Sequence, residues 1–178
     1  MPCSAGCHRR RSAMIVVRRV RPGEGDSYRQ VRLAALAESP AAFASTYARE
    51  SSLTAQDWSE RARASSEGWQ RAAFFAVAEG NIVGLVGGYR PEPASDVVEL
   101  VSMWTHPSTR RTGVGRLLVE AVIDWARAGQ AQEVQLWVTR ANIAAQVFYR
   151  TVGFTEAGDY RPLPSDPCRD ESRMSLDL

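Results

Sequence analysis

The sequence predicts an α/β (α+β) chain built on a mixed sheet with helices on both faces. Three observations carry this. Segments of strand and helix periodicity follow one another as β-α-α-β-β-β-α-β-α-β-β. The helices fall between groups of strands. Three strands in succession precede a glycine-rich loop, which a purely parallel sheet does not accommodate.

The first strand is Met14 to Val20, broken by Pro22-Gly-Glu-Gly25. Asp26 to Leu36 has helical spacing, with Tyr28, Val31, Ala35 and Leu36 on one side. Ser39-Pro40 interrupts it, and Phe43 to Arg49 is ambiguous. Thr54 caps a second helix that carries Trp58 and runs to about Ala64. Ala72 to Ala78 and Ile82 to Tyr89 form a hairpin with a short Gly80-Asn81 connection. Val97 to Thr105 is the next strand, after the loop Pro91 to Asp96.

An amphipathic helix spans about Val114 to Arg127, with Val114, Leu117, Leu118, Ala121, Val122 and Trp125 on its apolar face. Glu133 to Thr139 reads as a strand. Asn142 to Val152 reads as a helix stopped by Gly153. Phe154 to Arg161 and Glu171 to Leu178 are the last strands, joined by a Pro-rich loop from Pro162 to Pro167.

Length and composition bound the function. A chain of 178 residues, 44% hydrophobic and 24% charged, fits one domain with a real core. We assign that domain to residues 14–178 and read residues 1–13 as a disordered extension, with Met14 as an alternative start. A net charge of +2 gives no support for nucleic-acid binding. No apolar run is long enough to span a membrane. Three cysteines, an odd number, argue against a disulfide framework and fit a reducing cytoplasm. Cys3, Cys7 and His8 supply only three ligands with no second pair at finger spacing, so no metal site is expected.

The densest information lies from Trp104 to Leu118. Three arginines and two glycines fall within Arg110 to Arg116, and a helix follows without a gap. Such a loop turns backbone N–H groups toward one point, where the helix dipole adds positive potential. The expected guest is a phosphate compound. A P-loop is excluded, because no lysine stands near Gly113. A dinucleotide fingerprint is excluded, because Gly113-Val-Gly115 is followed by Arg, Leu and Leu118, without the third glycine.

The pattern Arg110-x-x-Gly113-x-Gly115, after a strand ending in Thr105-His-Pro107, resembles the acetyl-CoA motif of the GNAT superfamily of N-acetyltransferases. A second block, Asn142-x-x-Ala145-x-x-Phe148-Tyr149-x-x-x-Gly153-Phe154, lies one strand downstream, as in that family. The element order from Met14 to Leu178 also resembles it. The resemblance implies a mostly antiparallel sheet of six to seven strands and acetyl-CoA as co-substrate, with no metal. It assigns cofactor contacts to Met103, Trp104, Thr105, Arg110, Arg111, Thr112, Gly113, Val114, Gly115, Arg116 and Asn142. A side chain at Gly113 or Gly115 would stand between the amides and the pyrophosphate. The strand at Met103 to Thr105 is expected to diverge from Leu136 to Thr139, leaving a gap that the pantetheine arm fills as an extra strand would.

The resemblance also implies a direct attack of an amine on the thioester. Tyr149 occupies the position of the family's acid. A phenol of pKa about 10 can protonate a leaving thiolate whose thiol has pKa about 8.5. Glu99, on the strand leading to the motif, matches the general-base glutamate of some members. The glutamate that others carry five residues before the asparagine is replaced here by Trp137. Cys168 is the only cysteine outside the first segment, so a covalent acetyl-cysteine is not expected. Regions that hold the acceptor in the family contain Arg32, Glu38, Phe43, Tyr47 and Trp58, then Tyr160 to Asp166. Arg32, Phe43, Tyr47 and Tyr160 are the candidate acceptor contacts. The expected partner is a small-molecule or peptide amine, with neither nucleic acid nor membrane, bound by a monomer or homodimer. A non-catalytic acyl-CoA-binding module is the rival reading.

Overall fold

The computed structural model describes residues 14–93 and 95–178; the Cys3, Cys7 and His8 reading and the assignment of residues 1–13 as an extension lie outside them. Seven strands form one sheet in the order β1-β2-β3-β4-β5-β7-β6. They are β1 (Ile15–Arg19), β2 (Arg71–Ala78), β3 (Asn81–Tyr89), β4 (Val97–Thr105), β5 (Glu133–Thr139), β6 (Thr155–Leu163) and β7 (Asp166–Asp177). Every neighbouring pair is antiparallel except β4 with β5, which is parallel. The helices are α1 (Gly25–Glu38), α2 (Tyr47–Ser51), α3 (Ala55–Ser66), α4 (Val114–Ala128) and α5 (Ile143–Val152).

The strands carry apolar side chains on both faces, and each face has its own core. On one, α4 and α5 pack through Val114, Leu118, Val122 and Tyr149 onto Phe74, Val86, Val98 and Leu136. On the other, α1 and α3 bring Leu36, Ala35 and Trp58 onto Phe75, Leu85 and Trp104. Trp58 is wholly buried, and burying a side chain of that size contributes on the order of 3 kcal/mol. No helix of the described residues is long and apolar enough to cross a membrane.

Local chemistry fixes the ends. Thr54 and Asp57 form a capping box at the start of α3. Asn142 accepts from Ala145 N–H at the start of α5, and Gly153 closes that helix in the left-handed region. The β2–β3 turn is Glu79-Gly80, both at positive φ, as a two-residue hairpin of type I′ requires. It is one residue earlier than the Gly80-Asn81 connection the sequence suggests, and Asn81 already pairs with Ala78.

Two further expectations are corrected. Pro162 to Pro167 is not an extended loop: β6 and β7 run on to a tight turn at Pro164-Ser165. β6 is an edge strand, where a proline sacrifices no ladder bond. Leu117 leaves the apolar face of α4 and is exposed, while Val119 and Ile123 are buried instead.

Candidate active site

Two irregularities of β4 open the sheet. Leu85 pairs with Trp104 and Gly87 with Val101, so Ser102 and Met103 together oppose Val86 alone. This is a bulge, and Ser102 stands at φ 57°. On the other edge β4 pairs with β5 only at Val97, Val98 and Glu99. Beyond Glu99 the two parallel strands separate, as the sequence reading expects, leaving backbone groups of β4 without strand partners.

The segment between α1 and α2 roofs the gap. Thr139 Oγ1 donates to Ala41 C=O at 2.9 Å, and Ser165 Oγ donates to Phe43 C=O at 2.6 Å. These bonds tie the segment to β5 and to the β6–β7 turn. Phe43 is thereby fixed beside both halves of the gap.

One half is a cavity of about 580 Å³ at the N-terminus of α4. Met103, Trp104, Thr105, Arg110, Arg111, Gly113, Gly115, Arg116 and Asn142 line it, so nine of the eleven predicted cofactor contacts converge. The other two do not present their side chains: Val114 is buried in the core, and Thr112 Oγ1 donates to Thr109 C=O. Gly113 caps α4 at φ 93° with no side-chain cap. The helix's first internal bond runs from Leu117 N–H to Gly113 C=O at 3.2 Å. The preceding amides therefore have no intrahelical acceptor and suit an anion. A Cβ on Gly113 would meet nothing, whereas one on Gly115 would crowd Met103 and Phe148 at 3.3 Å. Open space at Gly113 fits the expected close approach of a phosphate. Gly115 also serves packing beneath it.

The arginines are less free than their count suggests. Arg110 Nη2 donates to Glu38 Oε2 at 2.6 Å, and Arg116 Nε donates to Glu120 at 2.9 Å. Glu38, expected near the acceptor, is bonded instead to Arg110 and Trp104, which line the cofactor cavity. The hydrogen bond from Arg110, with those from Ser39 and Trp104 Nε1, holds its carboxyl down to about 2.

A smaller cavity of about 140 Å³ continues the first, between Ser102, Met103, Val138, Asn142 and Tyr149. Tyr149 is 7% exposed and packs edge-on against Phe154. Burial pushes its phenol well above the ordinary range. It therefore keeps its proton at neutral pH and is poised as a hydrogen-bond donor.

The other half of the gap is a cavity of about 550 Å³. Glu99, Tyr89, Trp137, Arg161 and Glu171 gather along one wall. Gln135 Nε2 donates to Glu99 at 3.5 Å, and Arg161 Nε donates to Glu171 at 3.0 Å. The Arg161 guanidinium lies 4.0 Å from the Trp137 ring centroid. Burial pushes the Glu171 carboxyl up, Arg161 opposes this, and the charge of Glu99 adds to it; the net direction is up. Burial, with the charge of Glu99 and a hydrogen bond to it, raises the Tyr89 phenol. The sequence reading missed Glu171. Its only sequence signal is a carboxylate on a buried strand, and β7 reaches the site only through its pairing with β5.

Of the predicted acceptor contacts, Arg32 and Phe43 line this cavity. Arg32 is not on a solvated face. It is 6% exposed, donates to Glu50 at 2.9 Å and stacks 4.7 Å from the Phe43 centroid. Tyr47 and Tyr160 are exposed and line none of these cavities; Tyr160 stacks on Arg140 instead.

The chain is similar to known proteins. A model described as the acetyltransferase (GNAT) family matches residues 34–154. The N-acetylaspartate synthetase of Homo sapiens is 32% identical over 91 residues, 50% of this chain and 30% of that protein. That of Xenopus tropicalis is 32% identical over 83 residues, 47% of this chain and 30% of the relative. The chain thus spans 30% of the length of these curated relatives. Among solved structures, an acetyltransferase of the GNAT family from Streptococcus pneumoniae superposes with TM-score 0.78 at 20% identity, over 93% of this chain and 99% of that one. A Salmonella typhimurium protein described as an acetyltransferase, solved with its cofactor acetyl-CoA, gives 0.75 at 17% identity, over 93% and 95%. At these identities the superpositions show a shared fold.

Proposed function

The chain belongs to the acetyltransferase (GNAT) family, and from that premise we propose that it transfers an acetyl group from acetyl-CoA to a primary amine by direct attack in a ternary complex. The observation that carries this reading is the split of β4 from β5 after Glu99, with the α4 N-terminus at one side and two carboxylates at the other.

In this reading the α4 amides and the loop arginines hold the pyrophosphate, and the freed β4 backbone aligns the pantetheine arm as an added strand. The thioester carbonyl is polarised by a backbone N–H near Met103 or Trp104. The amine enters from the Glu99 side, and Glu99 takes its proton directly or through water. Nitrogen attacks the carbonyl carbon, the C–S bond breaks, and the thiolate leaves toward Tyr149. The raised Tyr149 phenol makes full proton transfer to sulfur uphill, so its contribution is a hydrogen bond to the developing thiolate.

Thiol release from acetyl-CoA across a panel of primary amines tests the proposal. Amine-dependent release, with the acetylated product seen by mass, is the expected result. Acetyl-CoA binding without turnover on any amine would overturn it in favour of a binding module.

A further inference from the structure

The charges in the amine-side cavity are sorted along its length. Glu99, Glu171 and Arg161 line the cavity outside its recess, with Arg161 bonded to Glu171. The recess, of about 220 Å³, is lined by Arg32, Arg61, Arg71 and Glu50 with Tyr28 and Tyr89. There Glu50 alone faces three guanidinium groups. Arg32 and Arg61 each reach it at 2.9 Å. Burial pushes Glu50 up, but these two arginines outweigh it and it stays ionised.

The recess therefore carries an uncompensated positive charge. Arg71 makes no side-chain hydrogen bond or ion pair among the described residues. Arg32 Nη1, on a side chain 7% exposed, has no hydrogen-bond partner. A buried guanidinium nitrogen left unmatched costs free energy unless a ligand serves it. Ser102, at the β4 bulge, lines this recess and also the cavity that contains Tyr149. The recess thus adjoins the place where the acyl group is transferred.

We propose that this recess is a carboxylate subsite and that the acceptor is an amino acid, its amine toward Glu99 and its carboxylate toward Arg32, Arg61 and Arg71. The inference rests on the acetyl-transfer reading and names its acceptor class. Guanidinium groups suit it, because a planar fork matches a carboxylate with two parallel bonds. The two ends of such a zwitterion complement the two ends of the cavity.

Two measurements keep this distinct from the acetyl-transfer reading. The first compares turnover of amino acids with that of their carboxamides and decarboxylated amines. Acids are expected to exceed both in kcat/KM by about 100-fold. The R71Q variant is expected to narrow that ratio about tenfold through KM, and R71K to restore less than half of the loss. The second titrates N-acetyl amino acids and their amides into the protein with CoA present, by calorimetry. Only the acids are expected to bind. Turnover with no preference for acids overturns the subsite and leaves acetyl transfer standing. Acid-selective binding without turnover of any amine supports the subsite and overturns acetyl transfer. Absence of acid selectivity in both turnover and binding overturns the subsite outright.

Discussion

Arg110 of the glycine loop donates to Glu38 at 2.6 Å, joining the α4 entrance to the end of α1. The same Glu38 oxygen receives Trp104 Nε1 from β4 at 3.2 Å. One carboxylate thus holds together three elements that surround the cofactor cavity. A carboxylate whose folded pKa is depressed stabilises the fold above its unfolded value and stops doing so as pH falls through the folded value. For Glu38 that window runs from 4.5 down to about 2. Glu38→Gln should lower the melting temperature at neutral pH, and the gap to the parent should close as pH approaches 2. Melting curves across that range check it; an unchanged midpoint at neutral pH would show that the bridge contributes nothing.

Tyr149→Phe should lower kcat by about tenfold to 100-fold while acetyl-CoA affinity stays within about twofold. The ring remains packed against Phe154 and Phe148, so stability should hold. Steady-state kinetics beside a binding titration separate the two effects. An unchanged kcat removes Tyr149 from the chemistry.

Gly113→Ala tests the cradle. At φ 93° an alanine is strained whatever the space around it, at a cost of about 1 kcal/mol, or roughly 3 °C in a chain of this size. The new methyl meets no protein atom, so any larger loss must come from the ligand. Acetyl-CoA should bind about tenfold more weakly, near 1.4 kcal/mol. A melting shift with unaltered affinity would mean that the phosphates lie elsewhere.

Much of this was legible because glycines and alternation mark boundaries locally. The strands Val97–Thr105 and Glu133–Thr139 match their predicted limits, and Gly153 ends α5 as expected. The cofactor cavity was legible for the same reason, since its loop, helix start and strand end are contiguous in sequence. Register was not legible. Glu171 enters the site because Thr139 pairs with it across β5 and β7, a partnership between residues 32 apart that no local pattern encodes. Arg32 and Glu50 likewise meet only when α1 and α2 fold together. The sequence predicts a loop at Pro162 to Pro167 because proline acts as a breaker in isolation, yet Pro162 lies on the edge strand β6 and Pro167 lies on β7 ahead of the stretch that pairs with β5.

The carboxylate pair gives the sharpest test of the base. Glu171 is raised by burial and by the charge of Glu99, so neutralising Glu99 should lower it. If Glu171 takes the proton, its protonation should cut kcat/KM on the acid side, with the limb above the ordinary carboxylate range. Glu99→Gln should lower kcat/KM by about 100-fold if Glu99 takes the proton. Glu171→Gln should then leave most of the rate, since glutamine stands in for the protonated form of Glu171. The reverse pattern, with Glu171→Gln abolishing turnover and Glu99→Gln only shifting the limb down, would transfer the base role to Glu171. The rates of both variants, with the pH profile of Glu99→Gln, decide between them, because a merely structural role of Glu99 would change the rate without moving the limb.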